Sequence, residues 1–312
     1  MKVCCWRRGC GFGLLVSVMA TITGTSHAQQ VSLPAINLGE TSFLDGVARP
    51  GWLLQETVNY YTTDSFKDAG GDEVAAPQEL DVLASITQIA FLSEHKVCGA
   101  NIGAEVLVPV VRTDLDLAPG LNADDWGLGD IIVGPVILQW SDSTLFGRPY
   151  HHRLNLNFTL PTGEYGNRAL VNAGSNTISF NPHYAFTWMP SERWEFSGRF
   201  HYLWVSENDN PPAGLGVDTT QAGQALHMNA SVSRAISDSV RVGLSGYALR
   251  QISDDRIDGR RVSGSREQVL GIGPAIRMQL GRSAIFANGY VETAAQDRPE
   301  GRRFFLRWQM PF

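Results

Sequence analysis

The chain has 312 residues, 43% hydrophobic and 18% charged, with 25 Lys+Arg against 31 Asp+Glu for a net charge of −6. Beyond the N-terminus no run approaches the ~20 continuous apolar residues of a spanning helix, which excludes a helical membrane bundle. The acidic balance argues against nucleic acid as a partner, whereas a membrane β-barrel, apolar on one strand face only, is left open.

Residues 1–28 carry Lys2, Arg7 and Arg8, an apolar stretch from Gly11 to Ile22, and Ser26-His27-Ala28 before Gln29. This is the pattern of a secretory signal peptide cut after Ala28. Cys10 precedes the apolar core instead of following it, so lipidation is not expected. Cleavage removes three basic residues and no acid, which deepens the net charge to −9. It also leaves Cys98 as the sole cysteine, which rules out an internal disulfide and a cysteine zinc site. A half-buried small apolar place is expected for Cys98.

From Gly51 onward the apolar residues alternate with polar ones, and Gly, Pro, Asn and Asp collect between the alternating runs, the pattern of strand and turn. Leu154, Leu156 and Phe158 alternate with Arg153, Asn155 and Asn157, and Phe304, Leu306 and Trp308 alternate with Arg303, Phe305 and Arg307. The predicted strands are 51–64, 80–93, 100–112, 126–140, 148–160, 177–189, 193–206, 221–235, 239–252, 267–280, 283–293 and 303–312. In the second, Leu83, Ile86, Ile89 and Ala90 also fit a helix face.

Connections after even-numbered strands are mostly short (190–192, 236–238, 281–282), and those after odd-numbered strands are long and polar (65–79, 113–125, 161–176, 207–220, 253–266). Short turns on one side and long loops on the other are expected of an outer-membrane barrel. Trp52, Trp126, Trp140, Trp188, Trp194, Trp204 and Trp308 fall at or near predicted strand ends, as a membrane-interface girdle does. The fold expected is all-β, a twelve-stranded antiparallel transmembrane barrel over residues 51–312 in the bacterial outer membrane, closed on itself because lipid offers no partner to a free strand edge. C-terminal Phe312 resembles the signal read by the barrel assembly machinery. Residues 29–50 hold Leu33, Ile36, Leu38, Phe43 and Leu44, and are expected to form a periplasmic or lumen-plugging segment.

Leu33-Pro34-Ala35-Ile36-Asn37-Leu38-Gly39, Thr41-Ser42-Phe43-Leu44-Asp45-Gly46 and Pro50-Gly51-Trp52 resemble the N-terminal signature of the SphA-type proteins, in the group labelled "putative meta-pathway of phenol degradation". Gly129-Asp130-Ile131, Gly134-Pro135, Leu160-Pro161-Thr162-Gly163-Glu164-Tyr165, Asn181-Pro182 and Gly271-Ile272-Gly273-Pro274 extend the resemblance over nearly all of the exported chain. It implies an outer-membrane barrel associated with catabolism of aromatic or other hydrophobic compounds, and no catalytic residue.

Strand parity directs Arg153, Arg199, His201, Arg241, Tyr247, Arg277, Phe305 and Arg307 into the lumen, with Glu105 and Glu195 opposite the arginines. Clustered arginines would favour anionic solutes; paired with the glutamates they would only brace the wall. Inward Leu203, Tyr247, Leu249 and Phe305 suit either an apolar solute or packing against residues 29–50. Pro109, Pro135, Pro182 and Pro274 fall inside predicted strands, where each removes a ladder donor; Pro109 and Pro135, on neighbouring strands, are expected to mark a wall defect and a lateral opening. His227, Asn229 and Ser231 share an inward face instead of the outer rim a barrel hydrolase needs, and no histidine pair has metal-ligand spacing. No enzyme, cofactor or metal is therefore expected. The expectation is a monomeric channel taking up small hydrophobic or aromatic compounds, with outer-membrane lipid and lipopolysaccharide around it; the alternative is a non-transporting structural or surface-binding barrel.

Overall fold

The computed structural model describes residues 31–74, 79–118 and 121–312. The predicted signal peptide and its cleavage site at Ala28 lie outside these residues. Twelve strands form a closed antiparallel barrel. They are β1 (Gly51–Lys67), β2 (Glu79–Val97), β3 (Ala100–Ala118), β4 (Ile132–Leu145), β5 (Arg148–Thr159), β6 (His183–Trp188), β7 (Trp194–Val205), β8 (Ala225–Ala235), β9 (Val240–Gln251), β10 (Gln268–Leu280), β11 (Ser283–Gln296) and β12 (Arg298–Pro311). Each pairs with its sequence neighbours, and β12 returns to β1 with Leu53 opposite Pro311 and Lys67 opposite Arg298.

The alternation sorts the side chains inside out. Leu244, Ile272, Val291, Phe304 and Leu306 are exposed on the outer wall, whereas Thr57, Gln139, Asn155, Glu195, Asn229 and Arg307 are buried within. That is the arrangement for a wall bathed in hydrocarbon and enclosing a polar interior. At the closing seam Trp52 and Phe312 exchange both backbone hydrogen bonds, at 3.2 and 2.9 Å, and their rings stack.

Several predicted boundaries change. The expected loop 113–125 is instead a β-hairpin, in which Val110 to Ala118 of β3 pair with the strand Leu121–Leu128. The predicted strand 126–140 breaks at Gly129-Asp130-Ile131, where β3 exchanges that partner for β4. The predicted strand 177–189 is divided into Ser179–Phe180 and β6, so Pro182 lies between strands and not inside one. β2 is a strand of 19 residues. Cys98 is exposed, not half-buried, because it occupies the tight turn between β2 and β3 with φ at 51°.

Candidate solute path through the lumen

Residues 31–50 run along the inside of the wall. From Gly51 the chain crosses to the far strands, where the Gly46 N–H donates to Thr187 Oγ1 at 2.9 Å and Gln139 Nε2 donates to the Gly46 carbonyl at 2.9 Å. A Cβ on Gly46 would stand 2.4 Å from the β6 backbone, so only glycine permits this approach. Leu44, in the same turn, is held at φ 58°. Higher up, the Gly39 N–H donates to Asn229 Oδ1 and the Gly39 carbonyl accepts from Tyr290 Oη, both at 2.8 Å. Leu38 packs with Leu203, Tyr247, Leu249, Val269 and Phe305, and Phe43 packs with Ala275, Ala284 and Phe286.

This segment fills the side of the lumen made by β7 to β12. The remaining space is a cavity of about 1590 Å³. One of its walls is the inner face of β2 and β3 above Gln88 and Glu105, with Val82, Ala84, Ile86, Leu107, Pro109 and Val111 facing the cavity. The other carries Arg153, Arg199 and Arg307, with Asn155, Asn157, His183 and His201 above them. The interior is thus divided into an aliphatic half and a basic, hydrogen-bonding half.

The basic half centres on Asp45. Its carboxylate accepts from Arg199 Nε at 2.8 Å and Nη2 at 2.5 Å, and Arg153 Nη2 lies 3.8 Å away. Burial alone would raise the Asp45 carboxyl, but the Arg199 and Arg153 guanidinium groups outweigh it and hold it below the ordinary value. For Glu40 the balance is reversed, and burial outweighs Arg199 and Arg307 to raise it. Glu105 accepts from Gln88, Asn155 and Asn157 at 2.6, 2.9 and 2.8 Å. His183, His201 and His227 lie side by side on β6, β7 and β8, with ring centroids 4.8 and 4.0 Å apart. Among the described residues no group of three His, Cys, Asp or Glu is placed to hold a metal ion.

Of the residues assigned to the path by parity, Arg153, Arg199, His201, Arg277, Phe305 and Arg307 line the cavity. Tyr247 is buried against the N-terminal segment, its hydroxyl donating to Glu292 at 2.7 Å, and Arg241 donates to Ser233 and to the Arg193 carbonyl. Trp140, Trp188 and Trp194 stand near the short turns and Trp204 near the opposite end of β7. Trp126 is on the added hairpin, and Trp308 pairs with Glu56 within the wall. Sequence reasoning missed the aliphatic inner face of β2 and β3. Its signal is the loss of strict alternation there, since apolar residues fall on both faces.

At the wall, the β3–β4 register shifts between Gly103 and Glu105 and the β4–β5 register between Val133 and Val136, flanking Pro135. The Pro109 carbonyl accepts from the Gly129 N–H at 2.9 Å, where β3 exchanges partners. Asp130 closes this region by accepting from the Gly163 N–H at 2.9 Å and from the Ser175 N–H and hydroxyl at 2.7 and 2.6 Å.

A family model matches residues 63–308, the greater part of this wall. The chain belongs to the family described as "Putative MetA-pathway of phenol degradation". Among solved structures, the COG4313 outer membrane channel from Pseudomonas putida F1 superposes with a TM-score of 0.77 at 15% identity, covering 89% of this chain and 100% of that one. The transport unit of the autotransporter AIDA-I from Escherichia coli gives 0.48 at 8% identity, covering 91% and 94%. The β-domain of the Bordetella autotransporter BrkA gives 0.46 at 15%, covering 85% and 100%. A search of curated protein sequences gives no match. The chain has the fold of an outer-membrane channel.

Proposed function

We propose that this outer-membrane barrel is a diffusive uptake channel for small hydrophobic or aromatic compounds, anionic ones included. The observation that carries the reading is the divided lumen. An aromatic ring finds aliphatic contacts on β2 and β3, and a polar or anionic substituent finds donors on the facing side, the combination that small-molecule sites use. A purely bracing interior would have no use for a cavity-facing aliphatic wall, which water wets poorly. The family's link to phenol degradation supports the aromatic class.

Liposomes loaded with the purified barrel test this. Benzoate and phenol are expected to enter faster than a hexose of similar size, and Leu107→Asp with Val111→Asp is expected to abolish that preference. Permeation equal to protein-free liposomes would favour the non-transporting alternative.

A further inference from the structure

The Arg199 site is occupied by the protein's own carboxylate. Asp45 presents two oxygens to the Nε and Nη2 of one guanidinium, the two-point geometry by which arginine binds a free carboxylate. Yet Asp45 belongs to no strand. It sits in a turn of the N-terminal segment, anchored nearby through Gly46 on Thr187 and Gln139 and through the Leu44 N–H on Glu195 Oε2 at 3.3 Å. Asp45, Arg199, Arg153 and Arg307 all line the cavity, so a solute there meets the ion pair from its open side.

A second observation points to a ligand. Arg307 is 3% exposed and its Nε has no hydrogen-bond partner, and the Nε2 atoms of His183 and His201 are likewise buried without one. The Arg307 Nε–H is an unmatched buried donor, which is costly when nothing accepts from it, whereas the His201 ring donates through Nδ1 to Asn181 Oδ1 and leaves its Nε2 as an acceptor. The Arg307 guanidinium stands 4.1 Å from the centre of the Phe286 ring, so the basic cluster has an aromatic floor. The acids facing the cluster are Asp45, Glu40 and Glu105; Glu105 is engaged by three amide groups, and of the three it is Asp45 that forms the ion pairs, with Arg199 at 2.5 Å and Arg153 at 3.8 Å.

We infer that Asp45 occupies the lumen's binding site for a small aromatic carboxylate, and that such a solute displaces it from Arg199 and Arg153 and frees the turn that crosses the periplasmic side of the lumen. The inference rests on the uptake reading and adds to it the ligand class and the means of release. Exchange of one carboxylate for another leaves the charge of the cluster unchanged, so the solute replaces the ion pair without stranding a buried arginine. The upper attachments, at Gly39 on Asn229 and Tyr290, do not involve Asp45, so release is confined to the turn.

The test uses the full-length exported protein with benzoate, and benzamide as its neutral counterpart. Asp45→Asn removes the competing carboxylate and retains the shape, so benzoate is expected to bind about tenfold more tightly than to wild type, as removal of an occupied competing state requires. Benzamide binding is expected to stay the same. In planar bilayers wild type is expected to gain conductance as benzoate is added, and D45N to conduct in its absence. Asp45→Glu, which restores a carboxylate, is expected to return both properties toward wild type. Heat-modifiable gel migration establishes that each variant is folded. If D45N matches wild type in benzoate affinity and in conductance, the inference is overturned, whether or not the barrel transports. If D45N binds benzoate more tightly but no solute crosses, the site stands and the uptake reading falls.

Discussion

Glu56 stands on the outward row of β1, between Leu54 and Val58 and roughly midway from the Trp52 rim to Tyr60. Its carboxylate accepts from Ser85 Oγ at 2.5 Å and Thr87 Oγ1 at 2.7 Å on the neighbouring strand, so it carries its own donors into a surface that otherwise meets acyl chains. A lipid-facing carboxylate at this depth is unfavourable, though less so than lysine or arginine, for which the cost is about 2–4 kcal/mol. Glu56→Leu is therefore expected to stabilise the barrel by about 1–2 kcal/mol, read from reversible denaturant unfolding in bilayers. Destabilisation instead would mean that this carboxylate has a partner in the membrane. Asp255, in the loop after β9, poses the opposite problem. It is buried, and burial raises its carboxyl to about 7, with Glu267 and Asp297 adding to the rise against donors from Gly223 and Gln251. A carboxyl raised in the folded state stabilises most below its ordinary value and loses that contribution as pH climbs through the raised one. Hydrogen-exchange protection of this loop, corrected for intrinsic rates, is expected to fall between about pH 4 and about pH 7. Asp255→Asn, whose Oδ1 accepts the same two hydrogen bonds, is expected to flatten the profile.

Among the elements, the connection that joins β5 to β6 is tied to the wall most densely by one side chain, that of Asp130, beside the Thr162 and Glu164 contacts to Ile131 and Leu128. Asp130 gathers the Gly163 and Ser175 backbone N–H groups and the Ser175 hydroxyl, and thereby closes the wall where β3 leaves one partner for another. Asp130→Ala leaves these donors unmatched, at a cost of about 1–3 kcal/mol for a buried one. The change is expected to expose residues 161–178 to limited proteolysis. It also tests the sideways exit proposed from Pro109 and Pro135: neutral hydrophobic solutes are expected to leave such a barrel into the bilayer faster, and an unchanged rate would remove that route. The pieces of sequence that carry the family resemblance meet here, Gly129-Asp130-Ile131 lying against Leu160-Pro161-Thr162-Gly163-Glu164. Their proximity is not readable from spacing, because it depends on a hairpin that the acidic, turn-like residues 113–125 disguise as a loop. β2 is ambiguous for a related reason. Its inner face is largely aliphatic and its outer face mixes Leu83, Ile89 and Phe91 with Ser85 and Thr87, so apolar residues fall on both faces and the period that identifies a strand fades. Where one face is polar, as in β5, β7 and β12, the alternation alone places Arg153, Arg199 and Arg307 inside. Parity cannot, however, tell a residue beside the cavity from one covered by the N-terminal segment, as Tyr247 is, or one tied to the rim of the wall, as Arg241 is by Ser233 and the Arg193 carbonyl.

For the whole molecule, the wall and the segment inside it are separable in principle. Every barrel strand has its ladder partners in other strands, and the seam between β1 and β12 closes without any bond from residues 31–50. The backbone requirement imposed by lipid is therefore met by the wall alone. The interior is another matter. Leu38 and Phe43 are almost fully buried, which is worth about 1.5–3 kcal/mol for each side chain, and they cover Leu203, Leu249 and Phe286 on the wall. Removing residues 31–50 is thus expected to leave a barrel that still migrates as a closed, heat-modifiable species, unfolds at a lower temperature, and conducts more than the intact chain. The gel shift reports the wall, the melting temperature reports the buried apolar contacts, and the conductance reports the obstruction, so the three can fail independently. A deletion that no longer forms a heat-modifiable species would mean that the segment is needed for closure itself, as a scaffold on which β7 to β12 assemble. A closed barrel with unchanged conductance would mean instead that the segment lines the path without restricting it.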